Sequence, residues 1–314
     1  MSIWQKLSKP IMALAPMEDV TDTVFRQVLC SIGKPDLFFT EFTNVDGLFS
    51  PGYEQVVARL KFSSVEKPII AQVWGVNPEN YRKVGKLVSE MGFDGIDINM
   101  GCPIKKIIKT GGCSALIKNP TLAKEIYLAA KEGSCGLPVS IKTRIGFRGI
   151  ETEEWIGYIL GLKPDALTVH GRTVLEQSKV PCHWEEIAKA VRLRDSISPS
   201  TVILGNGDVK SVKQGIEYCG TFGVDGVMIG RGIFENPWLF GDKVEVLHSQ
   251  EEKLALLMMH VTLFDNTRGE DTNFNVLKKF FKMYINGFSG AAQLRDEMMK
   301  LRSAQETLDY ITRI

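Results

Sequence analysis

The sequence predicts an α/β fold: a closed (β/α)8 TIM barrel followed by a small C-terminal all-α helical domain. Three observations carry this expectation. Up to about residue 240, short apolar, β-branched runs alternate with helical stretches. Most of these runs end in Gly, Pro or a polar turn, as buried parallel strands do. Beyond Gly241 no strand-like run remains and glycine becomes sparse.

The strand candidates are 11–15, 37–40, 69–74, 95–99, 139–142, 166–170, 202–206 and 226–230. Between them lie helical segments such as 78–91, 120–132, 184–193 and 209–218. Pro78 and Pro120 suit the first turn of their helices, with Asn77 and Asn119 as N-caps. An open doubly wound sheet is the runner-up. Against it, the first strand runs into Ala15-Pro16-Met17 and not into a G-x-G-x-x-G turn. The tail divides into amphipathic helices at 251–266, 274–286, 291–302 and 304–313. The expected domains are 1–243, a barrel, and 244–314, a helical appendage that grips substrate or else serves as a packing cap or dimer element.

Composition narrows the partners. The chain has 314 residues, 44% hydrophobic, with a net charge of +1, so nucleic-acid contact must come from local patches. Six cysteines show no C-x-x-C spacing, which points to reduced thiols and a cytoplasmic setting. No secretory signal is expected at the start, and no apolar run approaches the roughly 20 residues of a membrane helix. No metal-ligand cluster is expected either.

Chemistry gathers at the strand ends, which a parallel barrel brings to one mouth. Asn99-Met100-Gly101-Cys102-Pro103 ends the fourth run and sets a thiol there. Taken alone, Cys102 is a reactive thiol or a small buried hydrophobe. Around it fall Pro16, Met17, Gln72, Lys142, Arg144, His170, Arg172, Asn206, Asp208 and Arg231. His170 by itself could be a hydrogen-bonded core residue, and Lys142 a solvated strand end. Burying lysine, asparagine and histidine together costs energy unless something pairs them, and a bound polar ligand does so economically. The turns at Gly205-Asn206-Gly207 and Gly230-Arg231-Gly232 suit a phosphate after the last two strands. Flavin mononucleotide fits this set, with Gln72 and Lys142 at the ring's polar edge. From Pro103 to Lys118 the chain carries Lys105, Lys106, Lys109 and Lys118 without an acidic residue, a phosphate-contact patch beside the thiol. Arg144 and Arg148 extend it, and Lys278, Lys279, Lys282 and Arg295 add to it from the tail.

These stretches resemble the tRNA-dihydrouridine synthase family, most closely its bacterial B-type branch. The resemblance rests on Ala15-Pro-Met-Glu-Asp-Val-Thr-Asp22, Asp97-Ile-Asn-Met-Gly-Cys-Pro103, Lys142-Thr-Arg-Ile-Gly146, His170-Gly-Arg-Thr173, Gly205-Asn-Gly-Asp208 and Gly230-Arg231. It runs from about residue 10 to 240 and more weakly to Arg295. It implies a tightly bound flavin mononucleotide, NADPH as electron donor, and reduction of the C5=C6 bond of particular uridines in tRNA. By the same carry-over Cys102 is the proton donor. Pro16, Met17, Gln72, Lys142, His170, Asn206, Gly207, Asp208, Gly230 and Arg231 surround the flavin. Asn99, Arg144 and Arg172, with Lys142 and His170, lie on the uracil side, and Lys105, Lys106, Lys109 and Arg295 contact the RNA. The chain departs from the family pattern at Cys113, where a small residue is usual, and at 177–181, where an aromatic and glycine-containing loop is expected. Two other readings share the scaffold: a flavin-dependent dehydrogenase of a free pyrimidine, and a catalytically silent RNA-binding protein. A monomer is favoured.

Overall fold

In the computed structural model, residues 2–242, 246–269 and 272–314 are described. The expected domain boundary at 243/244 lies outside them.

Nine parallel strand segments form the sheet: β1 (Ile11–Leu14), β2 (Phe38–Phe39), β3 (Thr43–Asn44), β4 (Ile69–Trp74), β5 (Gly95–Met100), β6 (Val139–Arg144), β7 (Ala166–His170), β8 (Val202–Asn206) and β9 (Gly226–Ile229). Their order is β1-β9-β8-β7-β6-β5-β4-β2, with β3 pairing the upper end of β4. A bridge between Ala13 and Leu37 joins the first stave to the second, so the sheet closes into an eight-stave barrel. The open-sheet alternative is thereby excluded. The stave expected at 37–40 is the least regular: it pairs as two residues, breaks, and resumes as Thr43–Asn44.

Alternation along the strands sets what fills the barrel. Low in the cylinder, Ile11, Ala13, Phe39, Ile70, Ala166, Val202, Leu204 and Met228 pack together, and Trp4 joins them from the N-terminal helix Ile3–Lys6. Towards the C-terminal ends of the strands the side chains turn polar: Gln72, Asn99, Lys142, His170 and Asn206. The larger core lies between the barrel and its outer helices. Asn77 and Asn119 cap helices Pro78–Glu90 and Pro120–Gly133 as expected, accepting from the Glu79 and Leu122 N–H groups. Gly85 and Gly133 let these two helices meet, since a Cβ at Gly133 would lie 2.0 Å from the Arg82 carbonyl oxygen.

Past Gly241 the described residues form only helices: Gln250–Arg268, a 3₁₀ run Phe274–Phe280 leading into Phe281–Tyr284, Ala291–Met298 and Ala304–Thr312. They pack on helix Thr23–Ile32 through Phe25, whose ring lies 5.9 Å from His260 and 5.1 Å from Phe280. Arg268 pairs with Asp22 at 2.7 Å, and the Lys279 Nζ donates to the Asp19 carbonyl. Helix Thr23–Ile32 is itself anchored by a fully buried Arg26–Glu66 ion pair. Among the described residues no helix is long and apolar enough to cross a membrane.

Candidate active site

Strand register assembles the mouth. Gln72 sits opposite Asp97, Asn99 opposite Lys142, and His170 between Arg144 and Asn206. From these pairings follows a chain of hydrogen bonds with one direction. Ser140 Oγ and Gln72 Nε2 both donate to the Asp97 carboxylate, at 2.6 and 2.7 Å. A carboxylate can only accept, so the Gln72 amide turns its oxygen outward, where Asn99 Nδ2 donates to it at 3.0 Å. Asn99 Oδ1 is left to accept the N–H groups of Gly101 and Cys102, each at 3.0 Å. The buried acid thus fixes, through two amides, the loop that carries the thiol. Burial pushes the Asp97 carboxyl up to about 6, against the pull of Ser140 and Gln72.

Asp97 was not among the residues singled out from the sequence. Its signal was there, an acid inside the apolar run Gly95-Ile-Asp-Ile98. Glu41 was missed as well. It is buried, receives the Asp19 N–H at 2.6 Å, and is pushed up to about 7, chiefly by burial and then by Asp22.

Beside this chain lies a cavity of about 500 Å3. Pro16, Met17, Lys142, His170, Arg172, Asn206, Gly207, Asp208, Gly230 and Arg231 all line it. Gln72 does not; it sits beneath, fully buried, with its amide committed to Asp97 and Asn99. Lys142 Nζ donates to Asn206 Oδ1 at 3.1 Å, and Asn206 Nδ2 donates to the Met228 carbonyl at 2.7 Å. Burial, and then the Arg144 charge, lower the Lys142 ammonium to about 8. His170 is held well below the usual imidazole range by burial and by the charges of Arg144, Lys142 and Arg172, so it is neutral. Arg172 Nη1 faces His170 Nε2 at 3.3 Å, and an arginine only donates, which leaves the imidazole proton on Nδ1.

Arg172 is almost fully buried, its fork spent on the Val180 carbonyl, Asp208 and His170. Arg144 is similarly spent on the carbonyls of Gly101, Thr173 and Gln177, and burial lowers it to about 10. It therefore ties the thiol loop to the irregular segment at 173–177. Gly207, at φ +132, is required for its turn: a Cβ there would lie 2.5 Å from Cys182 Sγ.

Cys102 is half-buried. Its thiol is lowered to about 7, first by a hydrogen bond from Cys113 and then by the Ile104 N–H and the Arg144 charge, with burial opposing. Cys113 is buried, and desolvation and the neighbouring Cys102 push its own thiol well up. Ser114 Oγ donates to the Cys102 carbonyl at 2.7 Å and locks the two segments together. Lys105, Lys106 and Lys109 stand exposed on helix Lys105–Lys109, directly after the thiol loop. Arg295 is not part of this mouth: its Nη1 donates to the Ile285 carbonyl within the helical segment.

The family model for dihydrouridine synthase (Dus) matches residues 13–313. The chain belongs to the dihydrouridine synthase family. Among curated relatives, a probable tRNA-dihydrouridine synthase 2 of Bacillus subtilis (strain 168) is 45% identical over 308 residues, covering 97% of this chain and 94% of that one. A probable tRNA-dihydrouridine synthase of Staphylococcus aureus (strain COL) is 44% identical over 308 residues, with 97% and 93% covered. Among solved structures, morphinone reductase superposes with a TM-score of 0.53 at 14% identity, covering 77% of this chain and 87% of that one. An old yellow enzyme homologue from Zymomonas mobilis gives 0.51 at 11% identity, covering 76% and 90%. These two agree with the barrel as a fold. The dihydrouridine synthase match extends through the helical tail, where the sequence motifs thin out.

The cavity suits a flavin of this family. Its wall carries four basic residues, Lys142, Arg172, Lys210 and Arg231, against Asp208 and Glu235. Asp208 lies between Arg172 and Arg231, tight on the first and 3.7 Å from the second, which leaves Lys142 as the cation at the inner end and the largely exposed Arg231 as the one at the rim. A ligand anionic at both ends, with a polar ring edge inside and a phosphate outside, matches that set.

Proposed function

We propose that this protein reduces the C5=C6 bond of specific uridines in tRNA, using tightly bound flavin mononucleotide reloaded by NADPH in the cytoplasm. The observation that carries the reading is the convergence on one barrel mouth of Lys142, a neutral His170 and the Asn99-anchored Cys102 loop.

In this reading, Pro16, Met17, Lys142, His170, Asn206, Gly207, Asp208, Gly230 and Arg231 hold the flavin, with Gln72 supporting from beneath. When bound, the flavin supplies a hydride for C6 of the uracil, which is electron-poor because C5=C6 is conjugated to the C4 carbonyl. The Cys102 thiol delivers the matching proton to C5, so that one hydride and one proton saturate the bond. A thiol lowered to about 7 gives up its proton readily, and the Cys113 hydrogen bond and Ile104 N–H steady the sulfur left behind. Lys142 balances the negative charge of the reduced ring and orients the carbonyl edge of the base. Asn99 and Arg144 act on the uracil side chiefly by fixing the loop. Because a base in folded RNA is out of reach, the target uridine must be everted into the mouth while the rest of the RNA is held. Lys105, Lys106 and Lys109 supply phosphate contacts there, and the helical unit, placed at 244–314, grips the remainder. A monomer suffices for this arrangement.

The deciding experiment maps dihydrouridine in RNA from cells lacking this protein. Loss of the modification at defined tRNA positions, restored by the wild-type chain and not by Cys102→Ala, supports the reading. An unchanged map refutes it. Reduced enzyme that turns over free uracil but not unmodified tRNA points to the free-pyrimidine dehydrogenase instead.

A further inference from the structure

A second cavity, of about 320 Å3, opens beside the short helix that follows the Cys102 loop. Its walls are Phe42, Trp74, Ile104 and Ile107, with Glu18, Asn44 and Arg59 among the polar residues that line it. None of these was singled out from the sequence, and the mechanism above uses none of their side chains. The aromatic and aliphatic walls offer flat apolar contact. Glu18 offers something more specific. Its Oε1 is taken by Arg59, while its buried Oε2 has no hydrogen-bond partner among the described residues. That oxygen is closed off from the cavity, but the side chain is 30% exposed, so the Arg59-held carboxylate offers the cavity an edge that accepts a further N–H donor.

The helix beside the cavity says what kind of molecule brings that donor. Ile104 caps helix Lys105–Lys109, and Ile104 and Ile107 face the cavity, while Lys105, Lys106 and Lys109 stand exposed. One short segment therefore presents an apolar wall and a cationic ridge side by side. A free small ligand would use the wall but not the ridge. A nucleotide within a strand uses both, with its base against the wall and its phosphates along the lysines.

We propose that this cavity binds a second base of the RNA substrate, a nucleotide flanking the reduced uridine. That base packs against Trp74, Ile104 and Ile107 and donates an N–H to the exposed edge of the Glu18 carboxylate. This assignment rests on the tRNA reading above and extends it from one everted base to two held bases. It makes the mouth read a dinucleotide step, because the two pockets are neighbours, Met17 lining one and Glu18 the other.

The test uses flavin-loaded, reduced enzyme and tRNA transcripts in which each nucleotide flanking the modified uridine is replaced, one at a time, by an abasic residue. Affinity is read by fluorescence anisotropy and turnover by flavin reoxidation. One flanking abasic site should weaken wild-type binding about tenfold, the scale of losing one stacked and hydrogen-bonded base. The same replacement should cost less than twofold in Ile107→Trp, which fills the cavity, and in Glu18→Gln, which removes the carboxylate charge and puts an NH2 donor where one of its acceptor oxygens stood. Either variant suffices if the other fails to fold. Equal losses at every flanking position in wild type and variant would overturn the proposal, as would no loss at any of them. Enzyme that reduces tRNA uridine yet gives a flat scan defeats this inference alone. Enzyme that reduces no tRNA uridine defeats the functional reading, and this one with it.

Discussion

Asn99 Oδ1 accepts the Cys102 N–H at 3.0 Å, and the same oxygen takes the Gly101 N–H at the same distance. One side chain thereby sets the backbone on which the thiol stands. Asn99→Ala should leave flavin content intact and slow flavin reoxidation by tRNA by roughly 10- to 100-fold, as a small misplacement of a reacting group does. Stopped-flow absorbance of the reduced enzyme mixed with tRNA reads this directly. Wild-type rates in that variant would show that the loop holds itself.

Removal of the thiol tests the acid. Cys102→Ala should bind flavin normally and lose about 10²- to 10⁴-fold in uridine reduction, the range for a positioned general acid. Normal turnover would assign the proton to another group.

Cys113 should tune its neighbour. Its thiol hydrogen bond is the largest influence lowering Cys102 to about 7. Alkylation of Cys102 by iodoacetamide, followed at that peptide by mass spectrometry, should therefore show a pH inflection near 7 in the wild type. In Cys113→Ala the inflection should move upward, so that alkylation at pH 7 slows. Cys113→Ser, which keeps a donor, should restore most of the reactivity. An unmoved inflection in Cys113→Ala would remove Cys113 from the site's chemistry.

Lys142 makes flavin binding sensitive to pH. Its ammonium is lowered to about 8 by burial, so the cation is present below pH 8 and lost as pH rises through it. An anionic ligand favours the charged form and draws the transition upward. Affinity of the apoprotein for flavin mononucleotide, measured by quenching of flavin fluorescence, should fall as pH rises above about 8. Lys142→Met should bind more weakly and lose that dependence, whereas a parallel slope in both proteins would place the titration elsewhere.

Salt should separate the lysine ridge from the flavin site. Replacing Lys105, Lys106 and Lys109 together by Ala should reduce the slope of log affinity against log salt by about 2 to 3, close to one unit per lost phosphate contact. Flavin content should not change. An unaltered slope would take these lysines off the RNA.

Much of this structure was legible because the barrel repeats one rule. Runs such as 69–74 and 202–206 are apolar, β-branched and stopped by turn residues, and both are strands at those limits. The stave at Phe38–Phe39 was less legible, since Thr43–Asn44 resumes it without any apolar signature. The segment 274–286 carries helical spacing, but that spacing does not distinguish an α-helix from the 3₁₀ turn that Phe274–Phe280 adopts. In the site, residues at strand ends were readable from position alone. What position does not reveal is where a long side chain spends its donors. Arg172 finds Asp208 thirty-six residues on, and half-buried Arg295 spends one donor on the Ile285 carbonyl, bonds that position in the chain does not foretell. Asp97 shows the converse, a residue that looks like part of a strand and governs the polarity of two amides.

The bonds from Lys279 to the Asp19 carbonyl and from Arg268 to Asp22 weld the tail to the very turn that follows Met17. The helical unit is consequently no hand on a flexible wrist. Grafting the tail of a relative onto this barrel would have to reproduce those two fastenings to keep the same seat on the turn after Met17.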